Sequence, residues 1–88
     1  MITHVAIRFQ GKVYSLPAPN RHNDVIRLIV AETGVSYVDA RDDEQGFLID
    51  GKVWCRRKPA LRIAEQCGQL KPDATGPKLG KLYSEDVW

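Results

Sequence analysis

Three consecutive cations, Arg56, Arg57 and Lys58, precede Pro59, where the sequence predicts that a helix opens. A helix N-terminus carries roughly half a positive elementary charge and several unpaired N–H groups, so acidic residues stabilise it and basic ones do not. Cations stationed there make sense when an anion shares the site, held by backbone donors and side chains together. The plain alternative is three long side chains spread into water, where screening leaves a repulsion of about a few tenths of a kcal/mol. The pattern recurs at Arg21-His22, ahead of a helix starting near Asn23, and the recurrence favours an anion site. Aromatic residues lie close in sequence: Phe47 and Trp54 in one hairpin, Tyr83 and Trp88 in the tail. Guanidinium groups for phosphate and aromatic planes for a base are what a nucleotide requires.

Catalysis finds less support. A hydrolytic triad needs a nucleophile, a base within reach and an orienting acid. His4 falls on a strand, which leaves His22 as the histidine placed for such work. No Gly-x-Ser-x-Gly, phosphate loop or dinucleotide fingerprint occurs, so neither an enzyme nor a bound cofactor is expected. The acids Asp42, Asp43 and Glu44 could hold a divalent ion, but adjacent acids in a loop are more often simply solvated, and no metal site is expected. The anion-binding candidates are therefore Arg21, His22, Arg56, Arg57 and Lys58.

These residues must be positioned by a few elements. Ile2 to Phe9 alternates with Val5, Ile7 and Phe9 on one face; Gln10-Gly11 turns the chain, and Lys12 to Leu16 returns as a second strand. Pro17-Ala18-Pro19 takes the chain out of the sheet. Asn20 or Asn23 can cap the helix that follows, Asp24 favours its first turn, and Gly34 suits its end. Val35 to Val38 is a short strand candidate, and Asp39 to Gln45 an acidic loop. Two β-prone runs around Asp50-Gly51 specify a tight hairpin that places Phe47 and Trp54 on opposite faces. At least one of the two rings therefore belongs to a core or an interface. The second helix, from about Lys58 to Cys67, carries an apolar stripe of Ala60, Ile63, Ala64 and Cys67, and Gly68 stops it. Residues 71–88 read as an irregular arm. The order β-β-α-β-β-β-α implies one α+β domain, a small antiparallel sheet of two hairpins and a short strand with two helices packed on it.

With 88 residues the chain has room for one core and hides only about 60–65 % of its unfolded surface. Apolar residues at 43 % and charged ones at 27 % exclude a disordered chain. A net charge of +2 is too small to announce a nucleic-acid binder, and the acids of Asp39–Glu44 interrupt any continuous basic track. Cys55 and Cys67 lack metal spacing and fall on apolar faces, which predicts buried, reduced thiols. No signal sequence or apolar span is expected, which points to the cytoplasm. A tryptophan at position 88 would waste apolar surface in water, so Trp88, with Tyr83, is expected to dock, either on its own sheet or, preferably, on a neighbouring subunit.

The runs Glu44-Gln45-Gly46-Phe47-Leu48-Ile49-Asp50-Gly51, Arg56-Arg57-Lys58-Pro59-Ala60-Leu61-Arg62-Ile63-Ala64, Gly68-Gln69-Leu70 and the ending Leu82-Tyr83-Ser84-Glu85-Asp86-Val87-Trp88 carry a resemblance. Together they resemble the phage Thoeris anti-defence sponges, small proteins that sequester cyclic ADP-ribose isomers and, in some members, cyclic oligonucleotides. The likeness covers about half the chain and departs from the family pattern at Cys55 and Pro59. It implies binding without catalysis in the cytoplasm of an infected host, by a dimer or higher homo-oligomer with pockets between subunits. Phe47 would lie against a ring, with Arg21 and Arg56 or Arg57 near phosphates. The competing reading is a phage protein that binds a host effector or nucleic acid through the same basic surface.

Overall fold

Two hairpins form one four-stranded antiparallel sheet in the order β2-β1-β3-β4. The computed structural model describes residues 1–39 and 41–88, the Asp42 side chain aside. Strands β1 (Ile2–Phe9) and β2 (Lys12–Pro17) are joined at Gln10 and Gly11, with φ of 52° and 80°. Strands β3 (Gln45–Ile49) and β4 (Val53–Arg56) are joined through Asp50 and Gly51, with φ of 51° and 69°. Positive φ at both central residues is the type I′ geometry, whose twist matches that of the flanking strands and which favours glycine. Lys52 is an extra residue before β4, because Ile49 pairs with Val53.

The two hairpins meet through β1 and β3, Val5 opposite Phe47 and Ala6 opposite Gly46. Each hairpin is followed by a helix, α1 (His22–Thr33) and α2 (Arg57–Gln66), so the chain is two consecutive ββα units joined side by side. Helix α1 packs on β1 and β2, and α2 on β3 and β4. Both cover the face that carries Val5, Ile7, Tyr14 and Phe47, which form one core with Val25, Ile29, Ala60, Leu61, Ala64 and Leu82. The α+β architecture expected from the sequence is the one observed. Among the described residues, no helix is long and apolar enough to cross a membrane.

Several local expectations are corrected. Val35–Val38 is not a strand; Val38 instead buries its side chain in the core as the chain passes. The stripe that α2 buries is Arg57, Ala60, Leu61 and Ala64, one position round from the apolar one expected, and it begins with a cation. Cys67 lies just past the last turn of α2 and is exposed, whereas Cys55 is half-buried and burial raises its pKa. Helix α1 is entered from Arg21 rather than from Asn20 or Asn23, the Asp24 carboxylate accepting the Arg21 N–H at 2.8 Å. The acidic stretch forms a single 3-10 turn at Asp42–Glu44, with Ala40 and the Asp42 side chain outside the described residues.

Helix α2 ends in a Schellman arrangement, Gln69 N–H to the Ala64 carbonyl at 2.9 Å and Gly68 N–H to Glu65 at 3.2 Å. The Gln69 side chain then acts as a proxy strand for β1. Its Oε1 accepts the Ile2 N–H at 2.7 Å and its Nε2 donates to the Ile2 carbonyl at 2.9 Å. The arm beyond is ordered. It holds a one-turn helix, α3 (Gly76–Leu79), and a 3-10 turn at Ser84–Asp86, and it buries Leu82, Ser84 and Asp86.

At Gly46 the sheet leaves no room for a side chain. A Cβ there would overlap the Cys55 carbonyl and lie 2.9 Å from the Trp54 ring. Gly46→Ala is expected to cost about 3 kcal/mol or more, read as a fall in the urea midpoint. An unchanged midpoint would contradict this packing.

Candidate functional site

The two helix starts differ in how their electropositive ends are answered. Helix α1 has Asp24 in its first turn, where it also meets Arg27 at 3.2 Å. Helix α2 follows β4 without a loop and has no acidic residue in its first turn. Cations stand there instead, and each points differently. Arg56 is exposed and donates through Nε to the Asp43 carbonyl at 3.1 Å. Arg57 lies on the buried stripe, 9 % exposed, with its guanidinium 5.1 Å from the centre of the Tyr83 ring. Lys58 is exposed.

An open cleft of about 490 Å³ lies at this end of α2. Arg56, Arg57, Lys58 and Pro59 line it from the helix side, Arg41 and Asp43 from the loop before β3, and Lys81 from the arm. Five cationic side chains thus face one acid. A second, smaller cleft of about 200 Å³ gathers Arg21, His22 and Asn23 with Arg57, Tyr83, Ser84 and Glu85. Arg57 lines both. The fold therefore brings the two cation-led helix starts together, with Arg57 between them. Nη1 of Arg21 is closed off from solvent and meets no acceptor among the described residues.

The arm forms one wall of the smaller cleft. The Asp86 carboxylate accepts the N–H groups of Thr75 at 3.0 Å, Gly76 at 3.1 Å and Tyr83 at 2.9 Å. The Leu82 N–H reaches the Arg57 carbonyl at 3.0 Å. Trp88 donates its indole N–H to the Asn20 carbonyl at 2.8 Å and meets Phe47 edge-on, 6.4 Å between ring centres. Of the two dockings expected for Trp88, the one within its own chain is observed, rather than the preferred one on a neighbouring subunit. Tyr83 lies half-buried between Arg57 and Lys81, whose ammonium is 5.9 Å from its ring centre.

Phe47 and His22 are placed unlike the other expected ligand residues. Phe47 is fully buried between Val5 and Cys55 in the sheet, so its ring offers no face to a ligand. His22 packs edge-on against it at 5.2 Å and bonds through Nε2 to the Gly46 carbonyl at 2.8 Å. Burial holds the His22 pKa below its ordinary 6.5, with Arg57 pushing the same way and the Gly46 carbonyl and Glu85 opposing. The neutral ring thus donates Nε2–H to Gly46. Burial also lowers the Arg57 pKa, against Tyr83 and Glu85, yet a guanidinium stays charged at any physiological pH. Sequence reasoning missed Arg41 and Lys81, which reach the cleft from segments with no local signal. Among the described residues, no group of three or more His, Cys, Asp or Glu side chains could hold a metal ion.

A family model described as Phage T4 y16D protein matches residues 1–88. No curated protein and no solved structure matches the chain. The match supports the phage origin within the resemblance to Thoeris sponges, and no more than that.

Two outcomes follow from this geometry. Asp86→Ala strands three backbone donors and is expected to cost about 3 kcal/mol or more in urea unfolding, with a red shift of Trp88 emission as the arm loosens. Because the folded pKa of His22 lies below 6.5, its contribution is present above that value and is lost as pH falls through the folded pKa. The urea midpoint should drop between about pH 7.5 and pH 5, and His22→Gln should flatten that slope. Equal slopes in both proteins would contradict the buried neutral ring.

Proposed function

From the premise that this chain belongs to the phage T4 y16D protein family, we propose that it is a non-enzymatic phage protein that binds a nucleotide-derived anion. One observation carries the reading: five cations and a single acid line the cleft at the start of α2. Its volume of about 490 Å³ suits a ligand of nucleotide size, since small-molecule sites span about 300–1,000 Å³. Arg56 and Lys58, exposed at its rim, are the phosphate-binding residues, and Arg57 is the fixed charge between them. In the first turn of α2 Lys58 can add a backbone N–H, whereas Pro59 has none to give. The commitment of His22 Nε2 to a backbone carbonyl favours binding over acid–base chemistry.

The likeness to Thoeris sponges makes cyclic ADP-ribose isomers, and then cyclic oligonucleotides, the first ligands of this cleft. Sequestration would let a phage in the host cytoplasm silence an immune signal without chemistry. The cleft is open to solvent on one side, and a second copy of the chain is the proposed cover, giving a homo-oligomer with its pocket at the seam.

Titration calorimetry with both ligand classes tests this, with native mass spectrometry to read assembly and any co-purified ligand. A combined Arg56→Glu and Lys58→Glu change should weaken binding by about a hundredfold or more, because charge-assisted hydrogen bonds contribute about 1.5–3 kcal/mol each. Both side chains are exposed, so the melting temperature should hold. Absence of heat with every ligand, or an affinity indifferent to the double reversal, would refute the reading.

A further inference from the structure

Among the described residues, no aromatic side chain lines the cleft at the start of α2, where five cations stand with Asp43 and Pro59. The rings nearest to it in sequence or space are engaged elsewhere. Phe47 is fully buried, and Trp88 packs edge-on against it with its indole N–H on the Asn20 carbonyl. Tyr83 lines the smaller cleft, and the Arg57 guanidinium and Lys81 ammonium lie 5.1 and 5.9 Å from its ring centre. Trp54 lies over Gly46, with the Arg8 guanidinium 5.9 Å from its ring centre. Stacking is the usual hold on a base, and this cleft provides none.

Charge then decides what the cleft accepts. Five cations against one acid leave an excess of four. That excess is local. The neighbouring cleft along α2 shares Lys58 and Pro59, but there Arg62 is balanced by Glu65. On the other side, beside the Gln10-Gly11 turn, Arg8 and Arg41 meet Asp39, Asp43 and Glu44. Within the cleft, the donors come from different walls: Arg41 from the loop before β3, Arg56 from the end of β4, Lys58 from α2 and Lys81 from the arm. Nε of Arg56 is fixed on the Asp43 carbonyl at 3.1 Å, which leaves its Nη groups for the paired oxygens of a phosphate. A bridging phosphate carries about one negative charge and a terminal one about 1.5 to 2. A linear triphosphate therefore brings nearly the whole of the charge that the cleft calls for, and a diphosphate closed at both ends brings about half of it.

We propose that the group this cleft recognises is a short linear polyphosphate of about three phosphates, held by Arg41, Arg56, Lys58 and Lys81, with any nucleoside left outside in solvent. This ligand class presupposes that the cleft holds an anion, as proposed above, and narrows that anion to one read through its phosphates. A nucleic-acid strand is disfavoured, because the acids on either side would face its backbone. An inorganic chain and a nucleoside triphosphate share the chemistry and differ only in the part the cleft does not touch.

The test is titration calorimetry of the full chain, without divalent cations, against tripolyphosphate, ATP, ADP, AMP and cyclic ADP-ribose. Affinity should rise about tenfold or more from AMP to ADP and again from ADP to ATP, as each added phosphate gains charge-assisted hydrogen bonds. ATP and tripolyphosphate should agree within about fivefold, the least that a stacked base would add. Tripolyphosphate tighter than ATP by more than that assigns the free chain as the ligand; agreement assigns a cleft that tolerates a nucleoside. Arg41→Gln, at an exposed position outside the helices, should weaken tripolyphosphate about tenfold and leave the melting temperature unchanged. AMP or cyclic ADP-ribose bound as tightly as tripolyphosphate overturns the polyphosphate assignment and leaves the anion site standing. ATP bound more than about fivefold tighter than tripolyphosphate does the same, by showing a base contact. Tripolyphosphate binding indifferent both to Arg41→Gln and to the Arg56→Glu, Lys58→Glu pair also overturns it, by placing the chain elsewhere. Heat with none of the five overturns it as well, and the anion site falls with it only if cyclic oligonucleotides are silent too.

Discussion

A single buried cation organises this protein. Arg57 opens α2 on the stripe that faces the sheet, followed at helical spacing by Ala60, Leu61 and Ala64. Taking a charge out of water is costly unless other groups solvate it. Here Tyr83 supplies a π-face, Glu85 contributes opposite charge, and the two clefts keep part of the group within reach of solvent. Most of those groups belong to the arm, whose backbone is tied to the Arg57 carbonyl through Leu82. The start of α2 and the arm are therefore conditions for one another. The same residue makes the wall shared by both clefts, so the solution to a folding problem also produces the cationic surface.

The two ββα halves show how one plan serves two ends. Each has a two-strand hairpin with left-handed turn residues, and each then leads into a helix from an arginine, Arg21 in one and Arg56 in the other. In the first half Asp24 answers the helix start from within. In the second no acid of the helix does so, and Glu85 of the arm supplies opposite charge instead. This asymmetry within an approximate repeat separates a helix start answered from within from one lined by cations.

Much of the scaffold was legible in the sequence because its signals are local. The Gln10-Gly11 and Asp50-Gly51 turns, the glycine ends of both helices and the opposite faces of Phe47 and Trp54 all follow from neighbours along the chain. Which of those two rings faces the core did not follow. That is settled by pairing across the sheet, where Val5 meets Phe47 and a glycine leaves room for Trp54 on the other side. Arg57 enters the sequence reading as one of three anion-binding cations at a helix start, although its spacing to Ala60 and Leu61 marks the stripe that α2 buries. Val35–Val38 has a strand-like composition but finds no pairing partner among the described residues; Val38 is buried in the core and Val35 packs against it. Trp88 meets its own chain because the fold brings Asn20 and Phe47 to it, a distance no local pattern encodes.

The outer margins of the sheet carry a consequence for life at high concentration. An open sheet leaves backbone donors and acceptors on its two border strands, an invitation to intermolecular pairing and fibre growth. The border strand β2 ends in a proline and begins with a lysine, while β4 has only four residues and passes straight into a helix. Both borders are thus short or interrupted. Edge-to-edge pairing between copies is therefore opposed by how these edges end rather than by net charge, which is nearly balanced.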